Sequence, residues 1–141
     1  MNVPGVHLAC DVGTVRIGVA RSDPAGILAF PLEAIAAGSD AIGALGALIA
    51  EYEAVGVVIG LPLKMDGTAG PAAESARAWA TLVVESVAVP VHLVDERLTT
   101  VQAQRGLHEA GRTVRSSRAV IDSAAAAVLL QTYLDAQRKA T

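Results

Sequence analysis

Acidic residues at the edges of three apolar segments have the types and placement to do chemistry. Asp11 closes the run VHLACD, Asp95 and Glu96 close VPVHLVDE, and Asp122 follows the apolar pair Val120-Ile121. Carboxylates gathered at the rim of a core repel one another and raise their own pKa values. A divalent cation resolves that conflict. Hard oxygen donors suit Mg²⁺ or Mn²⁺, which keep waters and phosphate oxygens in their shells. Three carboxylates without a useful His or Cys partner point to metal-assisted phosphoryl chemistry, with one or two ions at the attacking and leaving oxygens. Taken singly, each acid has a plainer use: Asp11 as a turn former, Glu96 in a surface ion pair with Arg97, and Asp122 as a helix N-cap. The convergence of all three is what carries the chemical reading.

The elements that must position these acids follow from the pattern. Segments 6–11, 15–23 and 26–35 read as three antiparallel strands linked by DVGT and SDPAG turns. Ser39-Asp40 caps a helix to about Tyr52, and 55–62 (VGVVIGLP) is the fully apolar strand of a parallel sheet interior. After the loop KMDGTAG, a helix with Pro71 in its first turn runs to Ser86, and 89–96 is the last strand. A helix over 99–111, a polar basic stretch RTVRSSR and a closing Ala-rich helix from about 120 complete an order β-β-β-α-β-α-β-α-α. Helical crossovers make the first, fourth and fifth strands parallel. In open α/β sheets the site lies off the carboxyl ends of such strands, so Asp11, the loop after Gly60 and Asp95/Glu96 belong on one edge.

The bulk properties limit the alternatives. A chain of 141 residues that is 52% hydrophobic reads as one globular domain over 1–141. Its longest apolar runs are too short for a membrane span, no signal peptide is evident, and the single Cys10 reads as a small buried residue. A cytoplasmic location is expected. Net charge is −3, yet five arginines against one acid give 97–118 a charge of +4 and leave −7 elsewhere. The three histidines lack zinc-ligand spacing with Cys10, nothing marks a nucleophile elbow, and DVGTVRIGVA matches neither a dinucleotide fingerprint nor a P-loop. A D-x-G-T turn also occurs in actin-like ATPases, but those enclose nucleotide between two related domains. With aromatics at 3%, recognition of a nucleic acid would rest on backbone and shape rather than base stacking, and Trp79 reads as core.

DVGTVRIGVARSD, GLPLKMDGTAGPAAE, VDERLTT and IDSAAAAVLLQTYLD resemble, in order and spacing, the motifs of the YqgF/RuvX family. These RNase H-like proteins are described as Holliday junction resolvases and as nucleases that trim precursor 16S ribosomal RNA. The resemblance implies a three-layer α/β fold with a mixed five-stranded sheet, order 3-2-1-4-5, strand 2 antiparallel to the rest. It implies Asp11, Glu96 (rather than Asp95) and Asp122 as catalytic, metal-binding acids. Lys64, Arg97, Arg105, Arg112, Arg115 and Arg118 are the expected contacts to substrate phosphates. The family often carries a lysine cluster before its last acid, where this chain has Arg115 and Arg118 in SSRAVID. The expected partner is a nucleic acid, precursor rRNA or branched or single-stranded DNA, with the protein a monomer or homodimer. The competing readings are a junction resolvase and a non-catalytic RNA- or ribosome-binding module.

Overall fold

The computed structural model describes residues 4–98 and 121–140. Strand β1 (His7–Val12) pairs antiparallel with β2 (Arg16–Ser22) and parallel with β5 (Gly56–Leu61), which in turn pairs parallel with β6 (Val91–Asp95). The short strands β3 (Ala29–Pro31) and β4 (Ile35–Ala36) both pair antiparallel with β2, giving a path β3-β2-β1-β5-β6 with β4 beside it. The expected order therefore holds for five strands, with a sixth, two-residue strand added. Helices α1 (Ala41–Tyr52), α2 (Pro71–Ser86) and α3 (Ala124–Ala140) complete the described elements, with a 3-10 turn over Glu96–Leu98.

The strand alternation builds two core layers. Leu8, Cys10, Val57 and Ile59 pack with Leu45 of α1 and with Ala80 and Val83 of α2 on one face. Ala9, Val58 and Ala20 pack on the other against Ala126, Ala127, Leu129, Leu130 and Leu134 of α3. Side chains of a strand point alternately to opposite faces, so Leu8, Ala9 and Cys10 of β1 and the whole of β5 are apolar to serve both layers. The small Ala126 and Ala127 let α3 lie close to the sheet, and Trp79 packs half-buried at the first layer. Cys10 is buried, and its burial pushes the thiol up to about 12. Among the described residues no helix is long and apolar enough to cross a membrane.

The structure differs from the sequence reading at several boundaries. The expected third strand over 26–35 is two strands. The amides of Ile27 and Leu28 donate to Asp23 Oδ1 and stay in a turn. From Pro31 to Ile35 the chain then takes one residue more than β2 takes from Ala20 to Ile17, which breaks the pairing. Asp40 stands at the N-cap of α1, but its carbonyl accepts from Ala44 and its side chain makes no capping bond. The last strand stops at Asp95, because Asp95 Oδ1 accepts the amide of Arg97 and turns the chain. The expected helix over 99–111 and the RTVRSSR stretch lie outside the described residues.

Candidate active site

Asp11 lies near the end of β1, at the C-terminal edge of the parallel strands, and faces Gly18 across the β1–β2 pair. The chain leading into α3 meets the sheet at that same point. Ser123 Oγ accepts the buried amide of Val19 at 2.9 Å. A Cβ on Gly18 would stand 2.5 Å from the Asp122 carbonyl oxygen, so a larger residue would push the two segments apart. A glycine inside a strand is the sequence signature of such an approach. Asp122 is thereby delivered to the cleft that Asp11 lines by backbone packing, two residues before α3 begins rather than as the opening residue of that helix.

Glu96 reaches the site from the other side. It is half-buried on the 3-10 turn after β6, and β5 lies between it and β1. Gly60 of β5 makes the reach possible: a Cβ there would stand 2.4 Å from Glu96 Oε1 and 2.9 Å from Leu129 Cδ2. Burial, a hydrogen bond to the Asp11 side chain, and the negative charges of Asp11 and Asp95 push the Glu96 carboxyl up to about 8. The Glu96 carboxyl is thus crowded against Asp11, where two negative charges would repel.

Asp95 and Arg97 take different work. Arg97 Nε and Nη2 bind the Asp95 carboxylate at 2.7–3.1 Å, and the guanidinium holds that carboxyl below the usual carboxylate range. Arg97 Nη1 also donates to the Met65 carbonyl at 3.4 Å, joining the end of β6 to the loop that carries Lys64. The ion pair weighed for Glu96 thus belongs to Asp95. Three successive charges at a strand mouth have three destinations: a turn, the acid site and a neighbouring loop.

An open cleft of about 570 Å³ is lined by Asp11, Gly13, Thr14, Val15, Arg16, Gly18 and Asp122. In it Arg16 Nη1 lies 2.6 Å from Asp122 Oδ2. The structure therefore brings Asp11 to Glu96 and places Asp11 and Asp122 in the wall of one cleft. Among the described residues, no group of three His, Cys, Asp or Glu side chains is close enough to hold a metal ion. Lys64 is exposed, its stem lying where a Cβ on Gly70 would meet Cε at 2.8 Å. Arg105, Arg112, Arg115 and Arg118 lie outside the described residues. Arg16 was not singled out from sequence. The available signal was a charge at the first position of the strand after the D-x-G-T turn.

A mixed sheet with helices on both faces and acids at its parallel-strand ends defines an RNase H-like fold of the RuvC kind. The structure of Thermus thermophilus RuvC in complex with a Holliday junction substrate superposes with a TM-score of 0.58 at 15% identity, covering 95% of this chain and 96% of that one. The family model for RuvX, described as Holliday junction resolvase, matches residues 5–136. A protein of Kineococcus radiotolerans named "Putative pre-16S rRNA nuclease" is 52% identical over 139 residues, covering 96% of this chain and 74% of its own length. One of the same name from Thermobifida fusca is 50% identical over 143 residues, covering 96% and 90%. The chain belongs to the RuvX family.

Proposed function

We propose that the protein is a divalent-metal-dependent nuclease that hydrolyses phosphodiester bonds in precursor 16S rRNA, with Asp11, Glu96 and Asp122 as its acids. One observation carries this reading: two carboxyl groups from separate elements, Glu96 on the turn after β6 and Asp11 on β1, meet within hydrogen-bonding reach at the carboxyl edge of the sheet. Such a pair is an unfavourable use of two acids unless a cation joins them. The donor set fits Mg²⁺ or Mn²⁺, being all oxygen, and Gly60 leaves open the space through which Glu96 reaches Asp11. The names of the relatives support rRNA as substrate.

When bound, Mg²⁺ or Mn²⁺ would supply positive charge at the phosphate and lower the pKa of a water. The chain's own residues do the rest. Asp11 and Glu96 would hold the ion from the ends of β1 and β6, with Asp122 entering from the α3 side of the cleft. Arg97 straps the loop that carries Lys64 to the turn, where Lys64 would orient flanking phosphates rather than read bases. In hydrolysis the water oxygen bonds to phosphorus as the ester P–O bond breaks, and the departing oxygen takes a proton.

The fold shared with a junction-bound RuvC favours a second substrate, a four-way DNA junction. Cleavage of a labelled precursor 16S rRNA fragment and of such a junction, by wild type and Asp11→Asn with Mg²⁺, Mn²⁺ or EDTA, separates the readings. Metal-dependent RNA cutting by wild type alone is the expected result. Symmetric junction cutting instead would make the protein a dimeric resolvase. No cutting of either would leave a binding module that retains the acids.

A further inference from the structure

We infer that Arg16 is a phosphate-binding residue of the cleft, released for that role when a divalent cation takes its place beside Asp122. This rests on the three-acid reading above and names a residue that reading leaves unassigned.

The backbones on both sides of the contact are fixed. Arg16 is held by the pairing of β2 with β4 and by its carbonyl, which accepts from Gly13 at 3.0 Å. Asp122 is held by the approach of its carbonyl to Gly18 and by the bond from Val19 to Ser123. Only the two side chains are left to move. Their ion pair is open to solvent, with side-chain exposures of 48% and 36%. Such pairs are weak and exchange readily. Among the described residues the guanidinium is engaged through Nη1 alone, which leaves its other donors for an anion. Arg97, by contrast, commits Nε and Nη2 to Asp95 and Nη1 to a carbonyl.

The charges explain why the exchange runs in this direction. Asp122 faces Arg16 across the cleft that also holds Asp11, so the arginine serves there as a one-charge counter-ion. A divalent cation bound in this cleft would supply two positive charges where one arginine supplies one. Once displaced, the guanidinium remains at the cleft wall, and a phosphate is the complementary group that would enter there. Cation and phosphate binding are thereby linked through one side chain.

The test uses the full chain, treated with EDTA and then titrated with Mn²⁺ by calorimetry, beside cleavage kinetics on the precursor rRNA fragment. Arg16→Gln should bind Mn²⁺ about two- to fivefold more tightly, the worth of a solvent-open ion pair. Its kcat/KM should fall about ten- to a hundredfold, as expected for loss of a charged phosphate contact. Arg16→Lys should restore most of the wild-type Mn²⁺ affinity and only part of kcat/KM. A purely structural arginine would weaken both quantities together. If Arg16→Gln binds Mn²⁺ no more tightly while Asp122→Asn loses affinity, the exchange is wrong and the three-acid site stands. If wild type binds no Mn²⁺, the metal-dependent reading falls and takes this inference with it.

Discussion

Glu96, on the turn after β6, and Asp11, on β1, come from elements that do not pair, yet their carboxyl groups are hydrogen-bonded across the end of β5. The strand between them ends in a stretch whose Gly60 has no side chain to bar the way. The site is thus built on a gap in the sheet surface as much as on the acids that meet there.

The raised Glu96 carboxyl makes stability depend on pH. Glu96 titrates at about 8 in the folded protein against an ordinary value of 4.5, so the folded state binds the proton more tightly. Its contribution is fully present below about pH 4.5 and is lost as pH rises towards 8. In EDTA, urea unfolding across that window should show stability falling with pH, by less than the limit of about 1.4 kcal/mol per pH unit for one proton. Glu96→Gln should remove that slope. An unchanged slope in the variant would assign the effect to another group.

Mn²⁺ must displace the same proton. Its apparent affinity should therefore rise with pH up to about 8 and level off above. Calorimetry in buffers of different ionisation enthalpy should show close to one proton released per ion near pH 7.

Gly60→Ala should disable the site without touching an acid. The new methyl would stand 2.4 Å from Glu96 Oε1 and 2.9 Å from Leu129 Cδ2. We expect cleavage to fall by at least tenfold and stability to drop by about 1–3 kcal/mol, the usual cost of overpacking. Melting curves beside activity would show whether the loss of function exceeds the loss of fold.

Ser123→Ala tests the seat of Asp122. It removes the acceptor for the buried Val19 amide. The expected cost is about 1–3 kcal/mol, with weaker Mn²⁺ binding because Asp122 loses its fixed position. Wild-type Mn²⁺ affinity in a destabilised variant would mean that Gly18 alone sets the approach.

Asp95→Asn releases Arg97 from its partner and so loosens the strap to the Met65 carbonyl. The pair is solvent-exposed, so the melting temperature should change less than in Ser123→Ala. KM for the rRNA fragment should rise with kcat little changed, because what loosens is phosphate positioning.

Much of this was legible in the chain itself. The uninterrupted apolar run of β5 could only be a strand covered on both faces. Once β5 and β6 were strands joined by a helix, handedness and the edge rule placed Asp11 and the DER acids together. The motif resemblance then chose Glu96 over Asp95, a choice that neighbouring residues on opposite faces of a strand do not reveal.

What only the tertiary structure decided are contacts between segments far apart in sequence. Local pattern gave no reason for Asp95 to bend the chain at Arg97, which takes Glu96 off the strand and back over Gly60. Nor could it show that the carbonyl of Asp122 rests on Gly18, or that Arg16 faces Asp122 at 2.6 Å. Spacing along a chain reports which face a side chain occupies. The distance between two faces is set by how closely the backbones pack, and here two glycines set it.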